Sequence, residues 1–188
     1  MSDQSLWYLE NIDVSAMLCP TKTADSAQLD HIEKKYAKGE YIYVAEELAD
    51  KLFFIMDGQV KIGTYGDGNK EITKAILSKG EVFGELALLN RERRRDFALA
   101  TEHTLICVIA TQQIKKLMRE RSGISMLLLQ IMGNRMMEME QRLESLVFKD
   151  SRTRIIEFLY ELASKKGQRV GYEMLVRKFM THQEIANL

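Results

Sequence analysis

The residues best placed to do chemistry lie together in Gly80-Glu81-Val82-Phe83-Gly84-Glu85-Leu86-Ala87-Leu88-Leu89, with the basic run Arg91 to Arg95 just behind. Gly84 lets the backbone adopt φ > 0 or approach a ligand closely. A short helical turn over Ala87-Leu88-Leu89 would aim its free N–H groups at whatever sits over Gly84 and Glu85, and such groups attract anions. Arg95 would add a bidentate phosphate contact. The Glu85 carboxylate would accept hydrogen bonds from a sugar hydroxyl. Carboxylate and guanidinium at this spacing suit a ligand with both sugar and phosphate.

Other chemistries find little support. The three histidines, His31, His103 and His182, are scattered. They form no nucleophile–base spacing and no metal-ligand cluster, so we expect no catalytic residue, no metal site and no enzyme activity. Two cysteines, Cys19 and Cys107, lie far apart in sequence. That pattern predicts free thiols in a reducing cytosol, and it is too few for an iron–sulfur cluster. The chain of 188 residues is 46% hydrophobic and 29% charged, which allows one or two globular domains. Its 27 Lys plus Arg balance 27 Asp plus Glu. Zero net charge gives no general attraction to nucleic acid, so DNA contact would need a local patch. No apolar run reaches a membrane span, and the expected location is cytoplasmic.

The elements that must position these residues are read from periodicity. Residues 1–35 read as short helical pieces, with Leu6, Trp7, Leu9 and Ile12 in one apolar group and Leu29 and Ile32 in another. Short β-type runs follow: Tyr41–Val44, Leu52–Met56, Val60–Tyr65, Glu71–Leu77, Phe97–Ala100 and Thr104–Ala110. Asp57-Gly58 reads as a hairpin turn, as does the Gly66-Asp67-Gly68-Asn69 stretch. Such spacing predicts a sandwich or roll. From Thr111 the period becomes helical, first in a short helix ending near Gly123. A long helix then runs from about Ile124 to Phe148. On it Leu129, Met132, Met136, Met139, Leu143 and Leu146 alternate three and four apart, an a/d seam. Arg135 falls at g and Glu140 at the next e, where they would pair across a parallel dimer. The seam either meets a second copy or packs on its own domain, and under three heptads its length does not choose. Asp150 is a favoured N-cap for the next helix. Lys165-Lys166-Gly167-Gln168-Arg169 reads as a solvated turn. Thr181 and Glu184 form a capping box that opens a last helix.

Phe83-Gly84-Glu85-Leu86-Ala87-Leu88 resembles the phosphate-binding cassette of the Crp/Fnr transcription regulators. Leu52 to Lys61 resembles that family's turn-and-strand signature. Asp150 to Leu159 resembles the first helix of its DNA-binding domain, and the Thr181 box resembles the opening of its helix-turn-helix. The resemblance implies an α+β chain. It comprises an N-terminal cyclic-nucleotide-binding-like β-roll over 1–123, a dimerisation helix and hinge over 124–149, and a truncated C-terminal winged helix-turn-helix over 150–188. It implies that Glu85 holds a ribose hydroxyl and Arg95 a cyclic phosphate. Gly84, Leu86, Ala87, Asp96, Met139 and Glu140 would complete the ligand site. Asp96 stands where the family usually has Ser or Thr, Phe97 where it has a small residue, and Met139 and Glu140 where it presents hydroxyls to adenine.

The resemblance further implies a homodimer through Leu129, Met132, Arg135, Met136, Met139, Leu143 and Leu146. Operator DNA would be reached through Thr181, His182 and Gln183 together with a recognition helix that this sequence does not include. RNA polymerase is the further partner implied. Two readings follow. In one, an effector in the roll controls DNA binding, with a cyclic nucleotide as the candidate effector and a vestigial cassette as its alternative. In the other, the chain is a non-DNA-binding sensor or protein-interaction module.

Overall fold

The computed structural model describes residues 31–89 and 92–176, with Ile185. The helical pieces expected before residue 31, Cys19, Arg91 and the Thr181–Glu184 capping box with His182 and Gln183 lie outside the described residues. The chain divides into two compact units, one through Leu128 and one from Leu129.

The first unit is a double-sheet roll. Ten strands are described along the chain: β1 (His31–Tyr36), β2 (Tyr41–Tyr43), β3 (Lys51–Asp57), β4 (Gln59–Tyr65), β5 (Glu71–Ser78), β6 (Val82–Phe83), β7 (Phe97–Ala100), β8 (Thr104–Ala110), β9 (Gln168–Val170) and β10 (Glu173–Leu175). One antiparallel sheet runs β1-β8-β3-β6 and the other β2-β7-β4-β5. Their facing sides enclose a core of Tyr43, Phe53, Ile55, Val60, Ile62, Leu77, Phe83, Ala98, Ile106 and Val108. Ile55, Ala98 and Ile106 have no exposed surface at all. Burial of this apolar surface, at about 25 cal/mol per Å², is what holds the two sheets together.

Three expectations need correction here. Residues His31–Tyr36 form an edge strand on β8, not part of a helical segment. Its sequence HIEKKY is charged and shows no apolar alternation, so pairing with a neighbour, rather than pattern, makes it a strand. Asp57-Gly58 is not a hairpin either. β3 and β4 belong to different sheets, and the turn carries the chain across the roll. A side chain at Gly58 (φ +91°) would lie 2.5 Å from the His103 carbonyl oxygen. The Gly66 turn does join paired strands, β4 and β5. Finally, Lys165–Arg169 is not one turn. A helix runs through Lys166, and Gln168–Val170 pairs with Glu173–Leu175 as a hairpin.

Among the described residues, the α-helices after the roll are α1 (Thr111–Glu120), α2 (Ser122–Phe148) and α3 (Ser151–Lys166). The chain turns between α1 and α2, where the Arg121 N–H returns to the Leu117 carbonyl. α2 buries Ile124, Leu127 and Leu128 in its first turns. Asp150 caps α3 as expected, its Oδ1 accepting from the Thr153 N–H at 2.7 Å. That bond holds the Asp150 carboxyl below the usual carboxylate range.

Candidate ligand-binding site

Strand β6 delivers the cassette. Phe83 pairs with Phe53 and Val82 with Phe54 on β3. The chain then turns at Gly84, with φ +77°. A 3-10 segment over Glu85–Leu89 follows, starting two residues before the Ala87-Leu88-Leu89 turn expected. Glycine is required at 84 for two reasons. Its φ lies in the left-handed region, and a Cβ there would sit 2.8 Å from the Arg94 guanidinium, 3.0 Å from the Phe53 ring and 3.2 Å from the Lys51 carbonyl oxygen. Glu85 and Ala87 are buried, whereas Leu86 is 44% exposed.

The arginine under this turn is Arg94, not Arg95. Arg94 is 5% exposed. Its Nη1 donates to the Gly84 carbonyl at 3.1 Å and its Nη2 to the Lys51 carbonyl at 2.5 Å. Its guanidinium lies 4.5 Å from the centroid of the Tyr43 ring and 5.4 Å from that of Phe53. The Nε atom is buried without a hydrogen-bond partner. Backbone pairing fixes the residue: the Arg94 N–H donates to the Glu47 carbonyl at 2.8 Å, and its own carbonyl accepts from the Glu46 N–H at 3.0 Å. Arg95 is exposed.

Asp96 is mostly covered, with Lys74 Nζ at 3.5 Å. Its negative charge acts on the Tyr43 hydroxyl. Burial pushes the Tyr43 hydroxyl far above the ordinary tyrosine range, the Asp96 charge adds to the effect, the Arg94 guanidinium opposes it and Glu85 raises it further. Glu85, Arg94 and Asp96 therefore gather around one tyrosine. Arg94 is thus a buried cation with one unbonded donor, Nε, beside the left-handed Gly84 turn.

Phe97 does not fill this site. Its ring turns to the outer face of its sheet, stacked on Tyr65 at 4.9 Å between centroids and edge-on to Tyr41 at 5.7 Å. The Tyr41 and Tyr65 hydroxyls bond each other at 3.0 Å, which pushes Tyr65 up to about 12.

The sequence search missed Arg94, Tyr43 and Phe53. Along 94–98, Arg94, Phe97 and Ala98 are buried, Asp96 is mostly covered and Arg95 is exposed, so burial does not simply alternate. Sequence pattern misreads it, because Phe97 and Leu99 look like the inward face and would turn Arg95 inward with them.

Met139 and Glu140 are exposed on α2, in the second unit. On the same helix Leu129, Met136, Met139, Leu143 and Leu146 are each more than half exposed, and Met132 and Arg135 are half-buried. The row from Leu129 to Leu146 extends about 26 Å along the helix at 1.5 Å per residue. Among the described residues no group of three or more His, Cys, Asp or Glu could hold a metal ion. No helix among the described residues is long and apolar enough to cross a membrane.

The double-sheet roll, with its glycine turn above a buried arginine, has a counterpart among known protein families. Residues 33–121 match the cyclic nucleotide-binding domain. The matched span begins in β1 and ends just past α1, so it takes in the whole roll and the cassette. Relatives extend the likeness beyond this domain. The global nitrogen regulator of Synechocystis sp. is 26% identical over 157 residues, 82% of this chain and 70% of the relative. The CRP-like cAMP-activated global transcriptional regulator of Mycobacterium tuberculosis is 26% identical over 179 residues, 95% of this chain and 77% of the relative. Both relatives are named as global regulators. Among solved structures, the c-di-GMP responsive global regulator CLP of Xanthomonas campestris superposes with a TM-score of 0.73 at 19% identity, over 84% of this chain and 79% of that one. At that identity the likeness is one of fold.

Proposed function

We propose that this protein is a Crp/Fnr-type transcriptional regulator, a DNA-binding homodimer controlled by an effector in its β-roll. The observation that carries the reading is one continuous arrangement. A cyclic nucleotide-binding domain with a glycine turn over a buried arginine is followed by a 27-residue helix that leaves an apolar seam exposed. The roll (1–123) senses, the α2 segment (124–149) dimerises and relays, and the region from Asp150 reaches operator DNA and RNA polymerase. Such a relay requires the effector to bind one arrangement of the dimer better than another. In the sensor, Arg94 supplies the cation and Glu85 the acceptor for a sugar hydroxyl. A cyclic nucleotide is the first ligand to test.

Two measurements test this. A random-site selection with the natural full-length protein should enrich a two-fold symmetric sequence, and sedimentation should show a dimer. A monomer that selects no sequence would remove the regulator reading. Titration calorimetry against cyclic AMP and cyclic GMP tests the effector. Binding that vanishes in Arg94→Ala would place the ligand on the cassette. Absence of heat at millimolar ligand would turn the search to other metabolites.

A second reading is a sensor or interaction module that does not bind DNA. The zero net charge of the chain favours it. A dimer that enriches no DNA sequence would support it.

A further inference from the structure

The second unit contains a junction with almost no slack. α2 ends at Phe148 and α3 begins at Ser151. The Lys149 N–H still donates to the Ser145 carbonyl at 3.1 Å, so the bonding of α2 reaches Lys149. Asp150 breaks the run: its backbone is extended, with φ −73° and ψ 165°, and its side chain caps α3. Across this break the Lys149 ammonium donates to both carboxylate oxygens of Glu157, at 2.8 and 2.7 Å. The two residues are 8 apart in sequence. On one uninterrupted helix they would stand about 12 Å apart along the axis, and side chains on a helix meet at a spacing of three or four. The ion pair therefore belongs to the broken axis and is lost if α2 and α3 run on as one helix. Nothing in the covalent chain forbids that second form, since residues 145–155 hold neither glycine nor proline. Running on would add backbone hydrogen bonds across Asp150 and give up both its cap and the ion pair. The charged side chains are 40% and 49% exposed, so dissolved salt weakens their attraction.

We propose that the α2–α3 junction is a two-state element, held bent by the Lys149–Glu157 ion pair and released toward a continuous helix by salt or by a charge reversal at either residue. The inference stands on this junction alone. Its consequence for operator binding, a changed angle at which the chain leaves the seam helix, rests on the regulator reading.

The experiment is pulsed electron paramagnetic resonance on the full chain, spin-labelled at Gln141→Cys and Ser164→Cys, two exposed positions on α2 and α3. Cys19→Ser leaves only the buried Cys107 beside the labelled sites, and dilution with unlabelled chain isolates the distance within one chain. A straight helix puts the two positions about 35 Å apart, and a bend at Asp150 shortens that distance. At low salt the shorter distance should dominate. Lys149→Glu and Glu157→Lys should each lower the ratio of bent to straight by about twofold to fivefold, the range of an exposed ion pair. Molar salt should lower the native ratio in the same way. The double exchange of Lys149→Glu with Glu157→Lys should restore the native ratio. Every sample is repeated with Asp150→Ala, which removes the cap and raises the straight form to where the ion pair is easily read. Circular dichroism establishes that each chain is folded. The proposal is overturned if neither single variant shifts the ratio in either background, or if the double exchange fails to restore it. The DNA selection uses none of these variants and decides the regulator reading separately.

Discussion

Arg94 and Arg95 are adjacent, chemically identical and differently placed. Arg94 is locked under the Gly84 turn by two carbonyls and two aromatic rings, whereas Arg95 is exposed. Arg94→Ala should destabilise the protein by roughly 2–4 kcal/mol, since charged hydrogen bonds and a partly desolvated cation–π contact are lost together. Arg95→Ala should stay within about 0.5 kcal/mol, as exposed substitutions do. Chemical denaturation of the pair decides this, and equal losses would refute the assignment. Tyr43 offers a pH test. Its hydroxyl is held above its ordinary value by burial first and by Asp96 second. A raised tyrosine contributes stability that is present below pH of about 10 and lost as pH climbs through the folded-state value. Tyr43→Phe should therefore lose less stability than the native protein between neutral and strongly alkaline pH. Parallel stability curves would sink this prediction. Which arginine faces inward was hidden from pattern reading because β7 reverses the usual hint. Its small residues, Ala98 and Ala100, are fully buried, and bulky Phe97 turns outward beneath Tyr41 and Tyr65. Tyr43, Phe53 and Phe83, supplied by other strands, already fill the space between the sheets.

At the scale of elements, two features set the frame. The first is the crossing at Gly58. There the Gln59 N–H and carbonyl both engage the Thr104 hydroxyl, at 3.3 and 3.2 Å. Two chain crossings are thereby pinned at one corner of the roll. Gly58→Ala would put a methyl group against the His103 carbonyl in a left-handed conformation. A loss of roughly 2–3 kcal/mol is expected in a denaturant melt. The second is the α2 seam. Met136 is 60% exposed on it. Met136→Glu should shift sedimentation from dimer to monomer, because pairing would bring two carboxylates together in an apolar seam. An unchanged dimer would move the interface to another face. Both the long helix and its seam were legible from three-and-four spacing. The edge strand β1 was not, since an edge with one neighbour needs no apolar alternation, and HIEKKY has none.

For the whole molecule, the proposed regulator depends on two copies acting together. A symmetric dimer presents two recognition surfaces to a two-fold operator, so losing the dimer weakens binding as well as symmetry. Met136→Glu should therefore reduce operator affinity at least about tenfold in a gel-shift assay while leaving the far-ultraviolet circular dichroism unchanged. Retained affinity would separate DNA binding from this seam. The sequence by itself determined the strand-rich roll, the turn at Gly84-Glu85, the long helix and the Asp150 cap. All of these rest on local spacing, turn chemistry or a motif within a few residues. Tertiary structure alone decided that Asp57-Gly58 crosses between sheets, that Arg94 rather than Arg95 lies beneath the Gly84 turn, and that Phe97 is buried against Tyr41 and Tyr65 on the outer side of its sheet. Each of those outcomes depends on which strands become neighbours. It therefore depends on how little room the facing sheet leaves, and that is a non-local quantity which no window of sequence contains.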